Sequence, residues 1–409
     1  MLAPAELGPD DARAPERADV VVGVHGGPDA ESAAETVERV REVLGPLARD
    51  RTTAVIRLGG APLRRPHSDP HAAAPAAESS RLPGGAGPLA ALLAAGEALE
   101  ASSCALVSAD PREGAGEYLD DLLGPVLRDG YDLVWPLYRR HKFDGGLHVA
   151  LACPFTRALF GTGLRQPITT ELAFSRAAGQ LLADDRELHE DATHAVSETL
   201  LAAHGGARSF REKGLVVGQA VVGSVPASPS GGDVSDVVAR IAGLLFEEAR
   251  RHAAGWQRVR GASTVPVIGS GEPIDDEPRQ LDSAQMFDAF AQGYRELHRL
   301  WAAVLPPATL LALKRAAAQP AAAFRLDPSL WARIVYDFAV GHRIAAMERG
   351  QLLRSMAPLY LGWMASWVNA VRDAGADEVE ERAEEVCLAF EAEKPYLISR
   401  WRWPDRFAP

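Results

Sequence analysis

The chain has 409 residues, of which 47% are hydrophobic and 24% charged, proportions that exclude a disordered or fibrous protein. That length has room for one large core or two moderate ones, so a catalytic domain with an accessory region is the expectation. A formal net charge of -12 with no basic stripe argues against a nucleic-acid partner, whose phosphate backbone is met by clustered cations.

Residues 1–17 are rich in Pro, Ala and acid and read as a disordered tail with neither the basic nor the apolar region of a signal peptide. Val20-Val21-Val22-Gly23-Val24 is a β-branched run closed by Gly26-Gly27-Pro28, the pattern of a buried parallel strand ending in a loop. From Asp29 to Leu44 the apolar positions Ala33, Val37, Val40, Val43 and Leu44 recur at helical spacing, with Asp29 as N-cap and Gly45-Pro46 as stop. Thr53 to Leu58 is a second strand, and Pro62 to Gly87, dominated by Pro, Ala, Ser, His and Gly, a mobile loop. A helix from Leu89 to Glu100, a strand from Ser103 to Val107, a helix from Glu117 to Arg128 and a strand from Tyr131 to Trp135 follow. This alternation predicts a mostly parallel sheet covered by helices on both faces.

Beyond the Pro/Gly patch from Val225 to Gly232 helical periodicity takes over. Helices are expected over Val234 to Gln257, Ala284 to Leu305, Pro307 to Ala318, Pro328 to Glu348, Leu353 to Asp373 and Glu378 to Tyr396. The expected domains are therefore 18–232, an α/β domain, and 233–409, an α-helical region packed against it. No stretch is apolar for long enough to span a bilayer. Cys104, Cys153 and Cys387 are scattered without a C-x-x-C pair, so buried thiols and a cytoplasmic location are expected rather than a disulfide framework or a zinc site.

Arg140, His141, Lys142 and Asp144 crowd a turn after a strand, where a sheet's C-terminal edge receives ligands and cations suit a phosphate or carboxylate. A salt-bridged turn is the bland alternative. Three blocks carry a resemblance: Tyr131-Asp132-Leu133-Val134 with Pro136, Tyr138 and Arg140 to Gly145; Pro154 to Gly161; and Leu164-Arg165-Gln166-Pro167-Ile168 leading into Glu171 to Ser175. In that order and at those separations they resemble the glucosyl-3-phosphoglycerate and mannosylglycerate synthases, glycosyltransferases with the GT-A fold, and the likeness extends more loosely from Val20 to about Phe246.

The resemblance implies a nucleotide-sugar-binding domain and retaining transfer of a hexose from a nucleoside diphosphate sugar to a small hydroxy acid such as glycerate or phosphoglycerate. It assigns Arg140, His141 and Lys142, with Asp144 in the same turn, to the acceptor anion or the diphosphate, and Arg165 and Gln166 to the loop that shapes the pocket. Thr169 and Thr170 stand where the family has a Gly-Gly pair. Glu171, which would orient a sugar hydroxyl, and Asp191, which best matches an acceptor-binding aspartate, are the catalytic candidates.

The departures centre on the cation. A GT-A enzyme of this kind holds Mg or Mn on an Asp-x-Asp motif, where the metal neutralises charge on the leaving diphosphate. Here the stretch is Ser108-Ala109-Asp110, so Asp110 alone is left as a carboxylate ligand, with Ser108 in place of the first. The family's histidine ligand falls near Ala227, and its Gly-Lys-Gly corresponds to Gly85-Ala86-Gly87. A weakened Mg or Mn site follows, and the alternative is a non-catalytic pseudoglycosyltransferase that binds a sugar nucleotide or a partner protein. Trp331, Val335, Phe338, Trp363 and Trp367 lie at helical spacing. Core packing is their default reading. A homodimer contact is the alternative, since relatives of the fold are commonly oligomeric, and Trp401 and Trp403 would either cover a partner or cap the domain.

Overall fold

The computed structural model describes residues 17–26, 30–58, 87–109, 118–169, 171–184, 212–224, 233–269, 274–275 and 281–403. The expected tail, loop and Pro/Gly patch lie outside them, apart from Arg17 and Gly87. In chain order the elements of the first part are β1 (Val20–His25), α1 (Ala30–Leu47), β2 (Thr53–Leu58), α2 (Pro88–Ala98), β3 (Ser103–Ser108), α3 (Leu119–Arg128) and β4 (Leu133–His141). A single π turn (His148–Ala152) then leads into α4 (Cys153–Phe160), β5 (Leu172–Ser175), α5 (Arg176–Ala183) and β6 (Val217–Ser224). The remainder is α6 (Val234–Arg251), α7 (Ala253–Trp256), β7 (Val267–Ile268), β8 (Ile274–Asp275), α8 (Ser283–Trp301), α9 (Pro307–Ala316), α10 (Pro328–Arg343), α11 (Arg349–Arg354), α12 (Ala357–Val371) and α13 (Ala376–Arg402).

The chain forms two compact units that alternate along the sequence: 1–139 with 166–228 and 264–273, and 140–165 with 229–263 and 274–409. The boundary therefore falls inside β4, and the segment 140–165 belongs to the second unit rather than to a continuous domain over 18–232.

The first unit is an α/β layer structure. Its sheet runs β2-β1-β3-β5-β4-β6-β7, parallel throughout except at β5, which is antiparallel to both β3 and β4. Val20, Val22 and Val24 of β1 and Ala105 and Val107 of β3 face a core shared with Ala33, Val40 and Leu44 of α1 and Leu119, Leu122 and Leu123 of α3. Alternation puts Gly23 on the opposite face, where a Cβ would stand 2.6 Å from Leu58 Cδ1 and 3.1 Å from Leu92 Cδ1 of α2. Bare backbone there lets α2 close over the sheet. With both faces covered, the central strands read as unbroken apolar runs rather than alternating ones.

The second unit is mostly helical. Arg140 and His141, the end of β4, pair in parallel with Ile274 and Asp275 of β8. The helices α8 and α12 approach closely because each offers a glycine: a Cβ on Gly293 would meet Pro358 at 2.3 Å, and one on Gly362 would meet the Phe290 ring at 2.7 Å. Buried aromatic donors find backbone acceptors, Trp301 Nε1 on Ser355 O, Trp331 Nε1 on Ala150 O and Tyr336 Oη on Phe390 O, as burial of a polar edge requires. Trp331, Val335, Phe338, Trp363, Trp367 and Trp401 are all buried in this core, whereas Trp403 is 66% exposed.

Candidate functional site

From β1 the chain passes to β2 on one side, while β3 pairs on the other. The strand order reverses there, and ligands of open α/β sheets bind beyond the carboxyl ends of strands at such a point. Those ends are His25-Gly26 and Ser108-Ala109. They are joined by the Ala109 amide, which donates to His25 O at 2.8 Å. Gly26 sits at φ +72° with nothing within 4 Å of a would-be Cβ, a left-handed turn that glycine makes without strain. The residues that continue from both ends, 27–29 and 110–117, lie outside the described residues, and Asp110 with them.

A buried carboxylate stands at this edge. Glu171 immediately precedes the antiparallel β5, and because that strand starts where β3 finishes, its first residues lie beside the β3 carboxyl end. The Glu171 side chain is 0% exposed. Its Oε1 accepts from the Ser108 amide at 3.0 Å, and its Oε2 accepts from the Tyr138 hydroxyl. The lead-in is braced as well: the Glu171 amide donates to Thr169 Oγ1 at 3.2 Å, and Gln166 Nε2 donates to Tyr138 O at 2.9 Å. Ser108, Gln166, Thr169 and Glu171, picked out separately in the sequence, are thus one hydrogen-bonded group. Tyr138, present in the sequence motif but given no role there, holds it together.

Tyr118 also belongs to this neighbourhood. Its ring meets Tyr138 edge-on at 6.3 Å, and its buried hydroxyl has no hydrogen-bond partner among the described residues. Thr170 and Asp191 lie outside the described residues.

The other expected residues, Arg140, His141, Lys142, Asp144 and Arg165, fall in the second unit. His141 Nδ1 accepts from the Phe143 amide at 3.2 Å and the Asp144 amide donates to His141 O at 2.7 Å, closing the turn after β4. Gly145 takes φ +67°, with the Arg140 side chain lying where a Cβ would be, 2.9 Å from it. Lys142 Nζ donates to the carbonyls of Arg372 (3.0 Å) and Ala374 (2.9 Å), a cation at the C-terminal end of α12 where the helix dipole welcomes one. Arg165 pairs with Glu380 at 3.1 Å. His148, which opens the π turn, was not singled out in the sequence: burial and then the Arg140 charge hold its pKa down to about 3, and its Nδ1 has no hydrogen-bond partner among the described residues.

Among the described residues no three His, Cys, Asp or Glu side chains are grouped to hold a metal ion, and no helix is long and apolar enough to cross a membrane. Compared with protein-family models and with curated proteins, the chain matches none.

Proposed function

We propose that this chain is a GT-A-type glycosyltransferase that moves a hexose from a nucleoside diphosphate sugar to a small hydroxy acid such as glycerate or phosphoglycerate, with retention. The observation that carries the reading is the bond between Ser108 and Glu171, 63 residues apart, at the reversal of strand order. Glu171, from a block that resembles the family, and Ser108, at the altered Asp-x-Asp position, meet at this edge, which supports the reading. A diphosphate there would lie beyond the carboxyl ends of β1 and β3, and Asp110 is the carboxylate nearest to Ser108 in sequence.

One carboxylate and a serine hydroxyl are a short ligand set for Mg or Mn, which prefer six oxygens. The proposed reaction therefore has no step routed through a cation. Glu171 acts as a positioning residue: with both oxygens accepting hydrogen bonds in a buried site, it fixes the end of β3, where the proposed donor site begins. Incubation with UDP-glucose or GDP-mannose and either acceptor, followed by mass spectrometry, should reveal a glycosylated acid.

A second reading, a non-catalytic relative that binds the sugar nucleotide, draws on Lys142 and Arg165. Lys142 was expected to meet the acceptor anion or the diphosphate and Arg165 to shape the pocket, and both have their charge engaged by groups of the second unit. Donor binding without product would favour it, and neither binding nor product would contradict both readings.

A further inference from the structure

We propose that Cys153 and Cys387 close to a reversible disulfide that ties α4 to α13. Their sulfurs lie 3.6 Å apart although the residues are 234 positions apart in sequence. A disulfide needs an approach of about 1.5 Å more, within reach of side-chain rotation. The pairing is held by a stripe along α13. Glu380 takes Arg165, Glu384 and Glu391 take Arg157, and the Lys394 ammonium donates to the carbonyls of Ala158 (2.6 Å) and Val259 (3.0 Å). Positions 380, 384, 387, 391 and 394 recur every three or four residues and share one helix face, so Cys387 is the central member of a row of which each other member grips the segment 153–165 or its immediate neighbour Val259. The contact between the sulfurs is thereby set in register from both sides.

Closure proceeds by exchange with a small-molecule disulfide. Cys153 is the less buried of the two. Its thiolate attacks one sulfur of the oxidant and expels one thiolate, leaving a mixed disulfide on Cys153. The Cys387 thiolate then attacks Cys153 Sγ and expels the second small thiol. Two S–H bonds are lost and one S–S bond is gained, while the small disulfide is reduced to two thiols. The hydrogen bond to Cys387 and burial hold the Cys153 thiol well above the ordinary thiol range, with Arg157 and Arg165 pulling the other way, so closure quickens as pH rises because the thiolate is the nucleophile. The bond would covalently fix the segment carrying Arg140, His141, Lys142, Asp144 and Arg165 to α13, whatever that segment binds.

The test uses the full chain and a Cys104→Ser variant, each equilibrated with mixtures of oxidised and reduced glutathione at pH 8. Free thiols counted after denaturation should fall from three to one in the natural chain and to none in Cys104→Ser. Peptide mapping should find the 153–387 link, the unfolding midpoint should rise on the order of 5 °C, and dithiothreitol should reverse each change. Cys153→Ser and Cys387→Ser should show no rise. A glutathione adduct that persists on Cys153, a link through Cys104, or thiols that survive an oxidising mixture would each overturn the proposal.

Discussion

Glu171 and Asp337 are two carboxylates with 0% exposure, and their settings separate the two units by purpose. Asp337, in the middle of α10, accepts from the Tyr396 hydroxyl on both oxygens (2.8 and 2.9 Å) and from Arg400 Nε at 2.9 Å, and Arg400 in turn reaches Val304 O at 3.2 Å. Its partners lie on α13, so the ion pair joins two helices in the core of the second unit. Glu171 also takes a tyrosine hydroxyl, but its other described donor is the backbone amide of Ser108, the last residue of a strand at the sheet edge. One carboxylate fastens a helix pair, while the other fixes the backbone at the end of β3, the edge proposed as a donor site. The same tyrosine-carboxylate contact therefore joins two helices in one place and, on the proposed reading, holds a donor-binding edge in the other.

The largest effect should come from breaking the Asp337 pair. Asp337→Ala leaves the Arg400 cation buried, and loss of one partner of such a pair costs about 3–5 kcal/mol, measurable by urea unfolding. The next is its pH dependence. Burial pushes the Asp337 carboxyl up to about 6, against the pull of Arg400 and the Tyr396 hydroxyl. The folded chain thus holds this proton more tightly than the unfolded chain, so the contribution is fully present below about pH 4 and is lost as pH rises through about 6. Stability relative to Asp337→Asn should fall by about 2–3 kcal/mol across that window, and a flat difference would remove Asp337 from the account.

Paired phenol deletions sharpen the comparison. Tyr138→Phe and Tyr396→Phe each remove a hydrogen bond to a buried carboxylate, worth about 1.5–3 kcal/mol, with Tyr396→Phe toward the low end because Asp337 retains Arg400. Only Tyr138→Phe should also weaken binding of a nucleotide sugar, as a titration on both variants would show. The smallest effect is expected from Arg165→Ala: its pair with Glu380 leaves the side chains 41% and 32% exposed, and such pairs are worth less than about 1 kcal/mol.

The strands were legible wherever burial on both faces made the sequence uniformly apolar. The expected ranges match β2 fully, and β1 and β3 to within a residue. β4 was read only to Trp135 because Pro136, Arg139, Arg140 and His141 look like the start of a turn, yet the strand runs to His141. Its ladder with β5 ends at Val134, before Pro136, so the missing proline N–H takes nothing from that ladder. The helix expected over Val234 to Gln257 breaks at His252, and the one over Leu353 to Asp373 starts afresh at Ala357 after α11, since apolar spacing continues through a short bend that does not disturb which face is buried. The site was legible in part: Ser108, Gln166, Thr169 and Glu171 were named, but nothing in their spacing says that an antiparallel strand carries Glu171 back to Ser108. The nearness of Cys153 to Cys387 was likewise invisible, because it arises from the packing of α4 on α13 rather than from any spacing along the chain.

The most direct measurement is thermal unfolding of the purified chain with UDP-glucose, GDP-mannose, UDP or GDP, each with and without Mg or Mn. A ligand that binds only the folded state adds about 2.7 kcal/mol at a hundredfold excess over its Kd. One nucleotide class should therefore raise the midpoint by a few degrees, in the natural chain more than in Tyr138→Phe. A midpoint that no nucleotide or nucleotide sugar moves, with or without metal, would contradict the claim that this sheet edge is a donor site.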